Sequence, residues 1–170
     1  MGNQFKPNDI VMYSCHGACT LVEITEKDFG GVAKDYYVLR PAFSGSSIFY
    51  VPTDSEPLTS KMRTVKNADE INELVLKASV WDWIEDDRPR QNQLKQAIDC
   101  GSTELLVSIY KALYEKQKSL AEDGKKLRAA DDRYMKDIEA LLVEEFSFSY
   151  EIKKDDLVPF LYSEINLTQK

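Results

Sequence analysis

Hydrophobic positions along the chain change their period near residue 65. Before that point they fall in short runs of β-branched and aromatic residues: Ile10-Val11-Met12-Tyr13, Thr20-Leu21-Val22-Glu23-Ile24, Tyr36-Tyr37-Val38-Leu39-Arg40 and Ile48-Phe49-Tyr50-Val51. Turn signals separate them: His16-Gly17, Phe29-Gly30-Gly31, Pro41, Ser44-Gly45-Ser46-Ser47 and Pro52. Runs of this kind bounded by Gly and Pro, at intervals of about ten residues, predict strands and hairpins. A weaker fifth strand is expected through Met62-Arg63-Thr64-Val65. Four or five such strands predict a small, strongly bent barrel.

From Asn67 the period becomes helical. Asn67-Ala68-Asp69-Glu70 has the form of a capping box, a short polar N-cap with glutamate three residues later. Ile71, Leu74, Val75 and Ala78 then share one face. A second helix is expected from Asp87, with Pro89 in its first turn, to Cys100-Gly101. Ser102 caps a third, with Leu105, Ile109 and Leu113 inward; Gly124 lies in a charged connection. A fourth follows Asp131 or Asp132, with Tyr134, Ile138, Leu141, Leu142 and Phe146 inward. The tail holds an apolar patch, Leu157 to Leu161, in which Pro159 permits only a brief helix. The pattern therefore predicts an α+β protein: a small N-terminal barrel over residues 1–65, an all-α helical domain over 66–150 and a tail over 151–170.

The composition suits a folded protein, with 43% hydrophobic and 30% charged residues among 170. A net charge of -7 excludes attraction of the whole molecule to nucleic acid or anionic lipid, so any such contact needs a local patch. No apolar run approaches the roughly 18 residues that span a bilayer. The residues from Met1 to Phe5 lack a basic region leading into an apolar stretch, and the three cysteines are an odd number. A reducing, cytoplasmic location is expected.

Catalytic chemistry is sparse. Cys15-His16-Gly17-Ala18-Cys19 with Cys100 resembles a metal set, but the spacing is not the paired Cys-x2-Cys of structural zinc. Cys15 and Cys19 are expected as small strand residues, Cys100 at a helix end, and His16 as a turn residue. No phosphate loop, dinucleotide fingerprint or nucleophile elbow is present. The paired acids Asp131-Asp132 and Glu144-Glu145 read as solvated faces or helix-dipole partners. We expect no enzyme, no metal, no cofactor and no small-molecule substrate.

Charge is unevenly placed. Residues 1–64 carry 6 basic and 7 acidic side chains, and residues 65–150 carry 13 and 18. Within the latter, residues 88–136 carry 11 basic and 7 acidic, a net of +4. This band reads either as a solvated loop or as phosphate contacts that position a protein on DNA. Trp81 and Trp83 stand just before it. Trp81 is expected in the core against Leu74, Val75 and Ala78. Trp83 reads either as a second core residue that glues helix to helix or as an exposed interface anchor or aromatic wedge, whose truncation would leave stability nearly intact.

Phe5-Lys6-Pro7-Asn8-Asp9-Ile10-Val11-Met12-Tyr13 followed by His16-Gly17 resembles the opening F-x-x-G-D-x-V-V-Y-P-x-H-G of CarD-like bacterial transcription regulators, a module shared with transcription-repair coupling factor. Tyr36 to Leu39 and Ile48 to Pro52 resemble its later strands. Leu94-Lys95, Gly101, Ile109 to Leu113 and Ala129 to Tyr134 resemble its helices, so the likeness covers roughly residues 3–148. Asn8 stands at the family's glycine, Ser14 at its usual proline, and Tyr50 at a basic position of the fourth strand. Glu85-Asp86-Asp87 follows Trp83 where members commonly carry basic residues, so weaker DNA binding is expected.

The resemblance implies a Tudor/SH3-like barrel that binds the RNA polymerase β subunit. It implies a helical domain that contacts promoter DNA and stabilises the open complex without catalysis. On that basis Lys27, Tyr37, Leu39, Phe49, Tyr50 and Pro52 are expected to face polymerase. Trp83, Arg88, Arg90, Lys116, Lys118, Lys125, Lys126 and Arg128 are expected to face DNA. The alternative is a protein–protein adaptor that never touches DNA, which the net -5 of residues 65–150 favours.

Overall fold

The computed structural model describes residues 4–43, 45–153, 155–157, 159 and 163. Ser44 of the expected turn, Val158, Phe160 and Leu161 of the apolar patch, and most of the tail lie outside the described residues. The chain divides into two compact units, Met1–Val65 and Lys66–Lys170.

The first unit is a five-stranded antiparallel sheet: β1 Ile10–Tyr13, β2 Ala18–Asp28, β3 Ala33–Pro41, β4 Phe49–Pro52 and β5 Met62–Thr64. A four-residue helix, α1 Glu56–Thr59, precedes β5; the sequence pattern did not suggest it. The strand order is β4-β3-β2-β1-β5, so the end strands do not pair with each other and the sheet is open, not the closed barrel that the strand spacing suggested. Register sets the core. Leu21 lies opposite Leu39, and Tyr37 lies between Ile24 and Val51. Phe5, Val11, Tyr13, Cys19, Val51 and Met62 complete the cluster. Leu21 and Ile24 both pack on that cluster although they are three apart, which strict alternation forbids. A bulge between Leu21 and Glu23 absorbs the extra residue and leaves Val22 outside.

Turns follow side-chain chemistry. Asn8 has φ 75, the left-handed conformation that suits glycine and that asparagine tolerates. Its N–H donates to the Leu21 carbonyl at 2.8 Å. Ser14 has φ 47, a value proline cannot adopt, so the turn leaving β1 requires a residue other than proline. In the β2–β3 hairpin, the Asp28 carboxylate accepts from Gly30 N at 3.1 Å and Gly31 N at 2.6 Å.

The second unit contains α2 Ala68–Lys77, α3 Asp87–Cys100, α4 Thr103–Glu122 and α5 Ala129–Tyr150. The capping box forms as the pattern predicts: Glu70 N donates to Asn67 at 2.9 Å and Asn67 N to Glu70 at 2.8 Å. Asp86 and Ser102 cap α3 and α4, and Gly101 ends α3 with φ 69. One core draws on all four helices through Ile71, Leu94, Tyr110, Leu113, Ile138, Leu142 and Phe146. Leu105, expected inward, is exposed, because Leu106, Ile109, Tyr110 and Leu113 define the buried stripe of α4.

Several buried polar groups in this unit find partners inside the fold. Lys111 is 4% exposed, and its ammonium donates to the carbonyls of Val75 at 2.7 Å and Ala78 at 3.0 Å. A cation thus closes the C-terminus of α2, where the dipole favours it. Burial pushes the Lys111 pKa down. Glu145 accepts from Thr103 Oγ1 at 2.9 Å and from Lys66 N at 3.3 Å, and Ser149 Oγ donates to the Lys66 carbonyl at 2.6 Å. The entry to α2 is therefore tied to α5. No helix among the described residues is long and apolar enough to cross a membrane.

Leu142 is fully buried and Leu76 is 72% exposed. Leu142→Ala is expected to cost about 2–5 kcal/mol in denaturant unfolding, and Leu76→Ala under about 0.5 kcal/mol. Equal losses would show that the apolar stripe of α2 and α5 is misassigned.

Candidate functional site

In the first unit, β4 is an end strand and presents an unpaired edge. Residues of β3 and β4 alternate across the sheet. Tyr37 and Leu39 are 3% and 0% exposed and fill the core, so neither is available to polymerase, contrary to the expectation. The opposite face carries Tyr36, Val38 and Tyr50. Phe29, from the hairpin tip, stacks edge-on against Tyr36 at 5.1 Å and Tyr50 at 5.3 Å between ring centroids. Phe29 is 62% and Tyr50 40% exposed, and Val22, Val32 and Ile48 are exposed in the same unit.

Phe29 was not among the expected site residues. A large aromatic placed directly before Gly30-Gly31 in a solvent-facing turn was the signal for it. Lys27 is exposed on β2, and Phe49 and Pro52 are half-buried. The Phe49 ring lies 4.4 Å from His16 and 5.8 Å from Tyr13. Lys34 pairs with Asp54 at 2.7 Å, and that hydrogen bond holds the ammonium pKa up. Cys15 sits in the turn after β1 rather than in a strand; Cys19 lies in β2, and Cys100 is the last residue of α3. Among the described residues no group of three or more His, Cys, Asp or Glu could hold a metal.

In the second unit the segment between α2 and α3 is held by one buried arginine. Arg90 is 2% exposed. Its Nε and Nη2 reach the two oxygens of the equally buried Asp131 at 3.1 and 2.8 Å. Its Nη1 donates to the carbonyls of Ile84 at 2.8 Å and Glu85 at 2.9 Å, and Nη2 also pairs with Asp87. Arg90 is thus a fastener of the segment and has no donor left for a phosphate, which corrects its expected role.

Trp83 is also corrected. It does not protrude: it is half-buried, packs on the helical core, and has the guanidinium of Arg90 4.8 Å and the ammonium of Lys116 5.1 Å from its ring centroid. Its indole N–H is buried with no acceptor among the described residues. Trp81 is half-buried on the same core, with its backbone N–H bonded to the Ser108 carbonyl at 3.2 Å. The acids after Trp83 have local work. Glu85 pairs with Lys116 at 3.3 Å, Asp86 caps α3, and Asp87 bridges Arg90 and Arg128.

A cavity of about 390 Å³ opens beside this segment. Six of the eight residues expected to face DNA line it: Trp83, Arg90, Lys116, Lys125, Lys126 and Arg128. Arg88 and Lys118 are exposed but do not line it. The structure therefore gathers five of the eleven cations of the positive band, Arg90, Lys116, Lys125, Lys126 and Arg128, around a cleft at the α4–α5 connection.

The geometry gives a sheet with an open edge in the first unit and a cationic cleft in the second. Residues 5–66 match the family model of the CarD-like/TRCF RID domain. The N-terminal unit is therefore a CarD-like, RNA polymerase-interacting domain. No curated protein matches the chain.

Removing one partner of the buried pair leaves an uncompensated charge. Arg90→Ala is expected to destabilise the helical unit by about 3–5 kcal/mol, whereas the double variant Arg90→Met/Asp131→Leu recovers most of that loss. Trp83→Ala and Trp81→Ala should each cost about 2 kcal/mol or more, since both rings pack on the core. A Trp83→Ala protein as stable as wild type would place that ring in solvent.

Proposed function

We propose that this protein is a non-enzymatic, cytoplasmic transcription regulator. Its sheet, taken as the Tudor-like module of its family, binds the β subunit of RNA polymerase, and its helical unit contacts promoter DNA and stabilises the open complex. The observation that carries this reading is the exposed pair Phe29 and Tyr50, packed on the buried Tyr36 beside the unpaired edge of β4, in a domain of a polymerase-interacting family. An open edge accepts a partner strand through main-chain hydrogen bonds, and side chains flanking it select the partner. Aromatic anchors contribute most of the energy in such interfaces. Tyr50, where the family carries a basic residue, makes this contact more apolar, and the exposed Lys27 of β2 supplies a cation in the same unit.

On the DNA side the exposed cations are Arg88, Lys118, Lys125, Lys126 and Arg128, with Lys116 half-exposed. The surface ion pairs of Lys116 and Arg128 are each worth at most about 1 kcal/mol and exchange readily for phosphate. One observation favours the adaptor reading: Glu85 and Asp87 already neutralise two of these cations.

Tyr50→Glu combined with Lys27→Glu is expected to abolish pull-down of the β subunit while circular dichroism stays unchanged, and Phe29→Ala to weaken it. Undiminished capture by the double variant would overturn the polymerase assignment. For duplex DNA, replacing Lys118 and Lys126 by Ala should flatten the log–log dependence of affinity on salt by about 2. Polymerase binding with no DNA affinity at low salt would establish the adaptor.

A further inference from the structure

We propose that the cleft at the α4–α5 connection binds a nucleoside phosphate, supplied either as a free mononucleotide or as an unpaired nucleotide of a single strand. The inference deepens the DNA-contact reading of the helical unit and rests on it only for the second source. The cavity, about 390 Å³, lies within the range of small-ligand sites, which starts near 300 Å³. It is two-faced. Trp83, Leu120 and Leu127 supply an apolar wall, and Lys116, Lys125, Lys126 and Arg128 supply a cationic rim. A base with a flat apolar face and a phosphate several ångströms away has that same division.

The charges in the cleft favour an anion. Four basic side chains, Lys116, Lys125, Lys126 and Arg128, rim it in a protein of net charge -7, with Arg128 paired to Asp87 at the surface, while the two carboxylates that line it are Glu85 and Asp131. Asp131 is spent on Arg90, inside the structure. Glu85 is held by Lys116 at the surface. Lys125 reaches Asp123 only at 3.9 Å, and Lys126 makes no ion pair among the described residues.

The rim is positioned by backbone geometry. At the end of α4, Gly124 takes φ 69, its N–H bonds to Ala121 O at 3.0 Å, and Lys125 N bonds to Leu120 O at 2.8 Å. This is a Schellman turn, which reverses the chain over the end of its own helix. It carries Lys125 and Lys126 back above Leu120, and Arg128 then opens α5. Three cations are thereby concentrated in four residues of a short, fixed connection. The buried Arg90–Asp131 pair fixes the opposite wall by holding Trp83.

The test is a titration of intrinsic tryptophan fluorescence of the full chain with four probes: thymidine 5′-monophosphate, a single-stranded oligo-dT, a duplex of equal length and inorganic phosphate. The mononucleotide is expected to change the signal saturably and to displace the single strand, with inorganic phosphate at least about tenfold weaker. Lys125→Ala/Lys126→Ala, both exposed, should weaken the mononucleotide by about tenfold or more, since a charge-assisted bond is worth about 1.5–3 kcal/mol and 1.4 is tenfold. Its unfolding transition should not move. Tighter binding of the strand than of the mononucleotide assigns the source to single-stranded DNA, and the reverse to a free nucleotide; both support the site. No response to mononucleotide and single strand overturns it, as does inorganic phosphate competing equally. Duplex binding without mononucleotide competition also overturns the cleft but leaves the DNA-contact reading standing.

Discussion

The helical unit depends on one buried ion pair. Asp131 enters from the first turn of α5 and Arg90 from α3, and both are excluded from solvent. Charges in that environment are tolerable only when every donor and acceptor is used. Here the remaining guanidinium hydrogens go to two main-chain carbonyls and to Asp87. The consequence is local order in a stretch, Ser79 to Asp86, that lacks helix or strand of its own. Trp83 is seated by the same arginine, and the cationic cleft acquires a fixed wall. The run Glu85-Asp86-Asp87, which alone looks hostile to phosphate, serves as ion-pair partner and helix cap.

The sheet unit works under a different constraint. Tyr37 and Leu39 are committed to the core, and Tyr36 and Val38 on the other face are buried as well, so Tyr50, Phe29 and the free edge of β4 remain for recognition. The bulge at Val22 lets Leu21 and Ile24 both serve the core, at the cost of one exposed valine. The hairpin beyond it lets Phe29 fold back onto Tyr36 and Tyr50. An aromatic group that exposed is poorly explained by stability, and well explained by a partner.

Much of this was legible from sequence. Short polar residues before helical periodicity marked the caps at Asn67 and Ser102, because capping is a local bond between neighbours. The strand centres were visible as β-branched and aromatic runs. What was not legible was set by distant partners. Alternation in Tyr36-Tyr37-Val38-Leu39 is invisible when every residue is apolar, so the faces of Tyr37 and Leu39 emerged only with the register. The burial of Arg90 depends on Asp131, 41 residues away. The half-burial of Trp83 follows from that pair. Whether the sheet closes depends on its end strands, β4 and β5, which are far apart in the strand order.

The most direct measurement is the lifetime of the promoter open complex, formed by RNA polymerase and challenged with a competitor, with and without the full-length protein. The account predicts a longer lifetime when the protein is bound, and loss of that gain with Tyr50→Glu/Lys27→Glu. An unchanged lifetime with the protein demonstrably bound to polymerase would contradict it.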